Sequence, residues 1–70
     1  MTNNFVLMVT ERIWYDMLRK CIDRYGGIPT IYNRAEFVLT YNGIYNDDAG
    51  EWGAIIFESE EAANWFLLHL

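Results

Sequence analysis

The chain has few of the residues that cross-link or anchor a small protein. Cys21 is the only cysteine among 70 residues, so a disulfide within one chain is excluded. No apolar run approaches the ~18 residues that a membrane span needs. The opening stretch MTNNFVLMVTER lacks the basic segment and the small-residue cleavage site of a signal peptide. The length of 70 residues predicts a single domain, residues 1–70. The absences predict a reducing cytoplasm (a host cytoplasm if a phage encodes the protein).

Basic residues are missing from the second half of the chain. Residues 1–34 hold all five Lys and Arg against three acids, a balance of +2, whereas residues 35–70 hold seven acids and no base, a balance of −7. Such a chain repels phosphate, which disfavours direct binding to nucleic acid. Two interpretations stay open. The acids either serve only to keep a small apolar protein in solution or they meet a basic partner.

Large apolar side chains are abundant. Aromatic residues make up 17% and apolar residues 53% of the chain, a composition that excludes intrinsic disorder and suits a tiny domain with bulky core residues.

Phe5–Val9 is an apolar run typical of a strand covered on both faces. Thr10 then offers a helix N-cap. One helical face follows, and Gly26-Gly27 with Pro29 end it; that face comprises Ile13, Trp14, Met17, Leu18, Cys21, Ile22 and Tyr25.

The remaining elements are predicted from alternation and turn signals. Residues 30–41 alternate as a second strand, with Phe37, Leu39 and Tyr41 on one face. Asn42-Gly43 and the stretch 46–50 are both turn signals, so a wide connection is predicted and the hairpin tip is left open. Residues 51–57 form the returning strand. Ser59 caps a last helix whose buried stripe includes Ala62, Ala63, Phe66, Leu67 and Leu70.

The predicted order β-α-β-β-α indicates an α+β domain with two helices on one face of a three-stranded sheet. This order resembles a ferredoxin-like fold that lacks its final strand, and the resemblance implies nothing about function. A right-handed crossover would set the first strand parallel to the third. The first strand is then an unprotected sheet edge. The far face of the sheet is uncovered, with Val38 and, depending on register, Trp52 on it.

Signatures of an enzyme, a metal site or a cofactor site are missing. His69, the only histidine, has no orienting carboxylate nearby in sequence. Cys21 falls on the apolar helical face, as expected for a buried thiol. Asp47, Asp48 and Glu51 lack the alternating ligands of an EF-hand loop. The sequence therefore predicts a protein that is not an enzyme and holds no cofactor or metal.

Carboxylates interleaved with aromatic rings are typical of surfaces that meet a basic protein. The predicted partner-binding residues are Tyr45, Asp47, Asp48, Glu51, Trp52, Glu58, Glu61 and Trp65. The expected partner is a protein with a basic surface, such as a nucleic-acid-binding complex, and the expected role is inhibition or modulation. In size and composition the chain is similar to phage-encoded inhibitors such as anti-CRISPR proteins, although it shares no motif with them. The alternative is a homo-oligomeric structural or adaptor subunit, such as a homodimer, paired through the first-strand edge or the exposed sheet face.

Overall fold

A computed structural model describes residues 4–27 and 31–70 and confirms the α+β class. The described elements follow the order β-α-α-β-β-α, with three helices where two were predicted. Their bounds are β1 Phe5–Met8, α1 Glu11–Tyr25, α2 Ile31–Leu39, β2 Gly43–Asn46, β3 Ala54–Phe57 and α3 Glu60–Leu68.

Helix α1 has the predicted bounds and the predicted caps. The Thr10 hydroxyl accepts a hydrogen bond from the Ile13 amide at 3.3 Å, which satisfies a free donor of the first turn. Gly26 adopts φ 68° and its amide donates to the Ile22 carbonyl, so a left-handed residue ends the helix. The break predicted at Pro29 lies outside the described residues.

Helix α2 replaces the strand predicted over residues 30–41. Arg34, Phe37, Val38 and Tyr41 are buried or half-buried, and their spacing of i, i+3, i+4 and i+7 is that of one helical face. Leu39, which the alternation placed beside Phe37, is 63% exposed. The segment carries both periodicities, and packing against the rest of the chain selects the helical one.

The Asn42-Gly43 pair ends a helix and does not form a hairpin tip. Asn42 adopts φ 62°, and its amide donates to the Leu39 carbonyl at 3.0 Å, so it closes α2. The same tolerance of the left-handed region makes asparagine frequent in hairpin turns. Strand β2 begins at Gly43, inside the stretch predicted as a connection, and the hairpin turn is residues 47–53. Strand β3 is accordingly shorter than the predicted 51–57.

The sheet order is β1-β3-β2, and β3 is antiparallel to both neighbours. β1 is thus an edge strand beside β3, as predicted, but the predicted parallel pairing of the two is wrong. The other neighbour of β3 is Gly43–Asn46 and not the strand predicted over residues 30–41. β1 and β2 therefore run in the same direction, and β3 returns between them. The predicted order β-α-β-β-α, which resembles a truncated ferredoxin-like order, is matched only loosely, because α2 is an additional helix between β1 and β2.

All three helices pack on one face of the sheet. Its inner face carries Phe5, Leu7, Tyr45, Ile55 and Phe57, and the helices contribute the buried Met17, Cys21, Phe37, Val38, Ala63 and Phe66. Val38 thus lies in the core and not on the far face of the sheet. Leu67, predicted to be buried, is 37% exposed. Within residues 4–27 and 31–70, no helix combines the length and apolarity needed to cross a membrane.

Candidate interaction surface

The outer face of the sheet is an uncovered apolar surface. Val6 pairs with Ile56 and Ile56 pairs with Ile44, so three branched side chains form one row across all three strands. Val6 is 54% exposed and Ile44 is 64% exposed, because the helices pack on the opposite face. A row of apolar side chains this exposed is a typical mark of a contact surface.

A second row extends this surface toward the hairpin turn. Met8, Ala54 and Asn46 are register partners on the same face, and Met8 is half-exposed. A Cβ atom at Gly50 would lie 3.1 Å from Met8 Cε, so the turn folds against the end of the Met8 side chain. None of the side chains in the two rows carries a charge. We use the name outer face for Val6, Met8, Ile44 and Ile56.

The turn that borders the outer face is acidic. Asp47, Asp48 and Glu51 are all exposed, and the Asn46 side-chain oxygen accepts a hydrogen bond from the Asp48 amide at 3.1 Å, which shapes the start of the turn. In the described part of the chain the ion pair joins Arg19 to Asp16 on α1. The acids of the turn therefore have no basic partner among the described residues. We call residues 47–51 the acidic turn.

Two predicted contact residues, Tyr45 and Trp52, are half-buried and held by contacts within the protein. The Tyr45 hydroxyl donates to the Trp52 carbonyl at 2.7 Å, and the Trp52 ring lies 5.5 Å from the ring of Trp14. The Arg34 guanidinium stacks 4.4 Å from the Trp14 ring. Burial raises the pKa of Tyr45 against the opposing field of Arg34, and Asp47 raises it further. Trp52 and Tyr45 hold the acidic turn in place and are only partly accessible to a partner.

A second acidic group lies at the opposite end of β3. Glu58 follows the strand directly, and Glu60 and Glu61 occupy the first turn of α3, where they complement the helix dipole. The Ser59 hydroxyl caps this helix by accepting from the Ala62 amide at 3.2 Å. Glu60 and Glu61 therefore have a local structural role that the acids of the acidic turn lack.

Trp65 lies on the exposed side of α3, as predicted. Trp65 is 58% exposed, and its ring lies tilted against the His69 ring with 4.4 Å between centroids. The predicted contact residues thus form two groups, separated by the length of β3, on the order of 13 Å for four residues. The structure does not bring them together into one patch.

The outer-face residues were not named by the sequence prediction, which placed Val38 and Trp52 there. In Phe5–Met8 every residue is apolar, so alternation cannot distinguish the covered side from the open one. Ile44 was not predicted as a sheet residue, because the segment that forms its strand was assigned to a connection. The register of β3 with its two neighbours is what aligns Val6, Ile56 and Ile44.

Metal sites are not found among residues 4–27 and 31–70, which the structure describes. No group of three or more His, Cys, Asp or Glu residues among 4–27 and 31–70 is placed to hold a metal ion. Cys21 is fully buried, and burial raises the pKa of its thiol against the fields of Arg34 and Arg24. Comparison of the chain with family models, with curated proteins and with solved structures gave no significant match.

Proposed function

We propose that this protein is an interaction module that binds, through its outer face, a partner protein whose contact surface is apolar at the centre and basic at the rim. The observation that supports this proposal is the exposed row Val6–Ile56–Ile44 beside the acidic turn. An apolar centre with a polar rim is the usual layout of a protein–protein interface.

The two parts of the surface have different physical roles in this proposal. The apolar row gains free energy when a partner removes it from water, at about 25 cal/mol per Å². Asp47, Asp48 and Glu51 attract a basic partner over a distance of about one Debye length and so accelerate association. The row thus favours slow dissociation and the turn favours fast, salt-dependent encounter.

The basic rim of the partner indicates which class of protein the partner belongs to. Surfaces rich in Lys and Arg commonly bind nucleic acid, so a protein that covers such a surface blocks that activity. We therefore place the module among inhibitors or modulators of nucleic-acid-binding proteins, a role of the kind that phage-encoded anti-CRISPR proteins have. The acidic net charge of the chain supports a basic protein as the partner over direct contact with nucleic acid.

A homo-oligomer paired through β1 is the second candidate. β1 is an edge strand, and edge strands of two copies can pair into one continuous sheet. Pairing through the outer face is less favourable, because two copies would bring their acidic ends close to each other. Sedimentation over a range of protein concentrations tests this candidate, since a monomer at the highest concentration contradicts it.

Affinity capture from a lysate at low and high salt tests the proposal when variants are compared. Val6→Lys places a positive charge at the β1 end of the exposed row, and lysine is well tolerated on edge strands. Ile22→Lys is the matched control, because Ile22 is an exposed apolar residue of α1, away from the sheet. We expect a nucleic-acid-binding protein to be captured by wild type and by the control but not by Val6→Lys. Equal capture by all three contradicts the proposal.

A further inference from the structure

Strand β2 has an open hydrogen-bonding edge. The order β1-β3-β2 leaves β2 with one strand neighbour. Along an antiparallel strand, alternate residues point their backbone groups away from that neighbour. Among the described residues, no backbone hydrogen bond joins this outward side of Gly43–Asn46 to another segment. Unpaired groups in a row are a template for a further strand.

A groove runs beside this edge, between α2 and β2. Ala35, Glu36 and Leu39 line it from the helix, and Gly43, Ile44 and Tyr45 line it from the strand. Its volume is about 380 Å³, within the range of ligand sites of about 300–1,000 Å³. Leu39 and Ile44, on opposite walls, are both more than half exposed. The groove therefore offers apolar contacts directly beside unpaired backbone groups.

The charges on the lining of the groove and directly after β2 have one sign. Glu36 is the charged residue of its lining, and Asp47 and Asp48 follow the last residue of β2. No Lys or Arg lines the groove or follows β2 before β3 begins. Arg34, on the same helix, is turned away and stacks on Trp14. A ligand segment with basic residues is the complement of this edge.

We infer that the groove between α2 and β2 binds an extended, basic peptide segment, which adds to the sheet as a fourth strand beside β2. The peptide backbone pairs with Gly43–Asn46, an apolar side chain contacts Leu39 and Ile44, and flanking Lys or Arg residues lie near Glu36 and Asp47. Addition of a strand to an open edge is a common mode of peptide recognition, in which main-chain bonds give affinity and side-chain pockets give specificity.

This inference does not depend on the binding of a folded partner to the outer face. A peptide strand uses the edge of the sheet, and the residues common to the two proposals are Ile44 and Asp47. Val6→Lys alters the outer face and leaves the groove intact. Leu39→Glu alters the groove and leaves the outer face intact, so the failure of one proposal is distinguishable from the failure of the other.

Selection from a phage-displayed library of random linear peptides tests the inference. We expect the selected peptides to alternate apolar residues with Lys or Arg, and to lose measurable binding to Leu39→Glu while binding wild type and the control Ile22→Glu. Both substitutions place a carboxylate at an exposed apolar helical position, so stability is compared by thermal melts. Failure to select any peptide, or equal binding to Leu39→Glu, contradicts the inference.

Amide NMR spectra with a selected peptide give the second measurement. Addition of a strand predicts shifts and slowed hydrogen exchange at the outward amides of β2, and N-methylation of alternate peptide amides should abolish binding in one of its two registers. Shifts confined to Val6 and Met8 would assign the peptide to the outer face and overturn the inference. Equal binding by a peptide with Glu in place of Lys and Arg would overturn its charge assignment.

Discussion

The Val38 side chain lies directly over Gly43, so that a Cβ atom at position 43 would be 2.8 Å from Val38 Cγ1. The same Cβ atom would also be 2.8 Å from a side-chain atom of Ile55 and from one of Phe57. The absence of a side chain at Gly43 is what allows α2 to pack closely on β2, and it thereby sets the walls of the groove.

Gly43→Ala should destabilise the protein, because the new methyl group overlaps three core side chains. We expect a loss of about 1–3 kcal/mol in the free energy of unfolding, the usual cost of overpacking. Ile44→Ala, in the same strand but on the outer face, is the control and should cost less. Chemical denaturation measures both. A Gly43→Ala variant as stable as wild type would contradict the packing of α2 against β2.

Cys21 should be unreactive in the native protein. Its side chain is fully buried, and burial raises the pKa of the thiol, so both access and the reactive thiolate are limited. The rate of labelling by a thiol reagent should therefore follow the rate of unfolding and rise with denaturant. Rapid, complete labelling without denaturant would show that Cys21 is not in the core.

The hydrogen bond from Tyr45 to the Trp52 carbonyl should give a stability difference that depends on pH. Burial raises the pKa of Tyr45 above its ordinary value of 10.0, so the folded state holds its proton more tightly than the unfolded chain. The resulting stabilisation is complete below about pH 10 and is lost as the pH rises through the folded pKa.

Tyr45→Phe removes this group and should cost about 0.5–1.5 kcal/mol at neutral pH, the net value of a typical hydrogen bond. Because wild type alone loses the contribution of Tyr45 in alkali, the difference between the two proteins should shrink above about pH 10. Urea denaturation at neutral and alkaline pH measures it. A difference in stability that grows with pH would contradict a raised pKa of Tyr45 in the folded state.

Neutralising the acidic turn should change the kinetics of partner binding while leaving the fold intact. The triple variant Asp47→Asn, Asp48→Asn and Glu51→Gln removes exposed charges without a basic partner, so its thermal stability should equal or slightly exceed that of wild type. Its association with a captured partner should be slower and less sensitive to salt. Association unchanged at low salt would show that these acids only solvate the surface.

Much of the fold follows from local signals in the sequence. Thr10, Gly26 and Ser59 cap helices as predicted, because a capping hydroxyl or a left-handed glycine acts through its immediate neighbours. The segment 31–39 was assigned wrongly because its apolar residues fit both a strand and a helix. Contacts of Arg34 with Trp14 and of Phe37 with Phe66, both distant in sequence, favour the helix.

The candidate surfaces were less predictable than the helices. The acids and Trp65 were correctly placed in exposed positions, but their separation by β3 depends on where the strands begin and end. The row Val6–Ile56–Ile44 depends on a register among three strands, one of which was not predicted. A one-residue change of register moves every side chain to the other face of a sheet, so such a surface cannot be read from one strand alone.

Photo-cross-linking from the outer face tests the central claim most directly. Benzoylphenylalanine replaces Val6 in one variant and Ile22 in a control, and each is irradiated in cells that contain the partner. The account predicts an adduct from position 6 with a protein that has a basic surface, and none from position 22. Adducts from position 22 alone, or a product of position 6 with the mass of two copies of this chain, would contradict it.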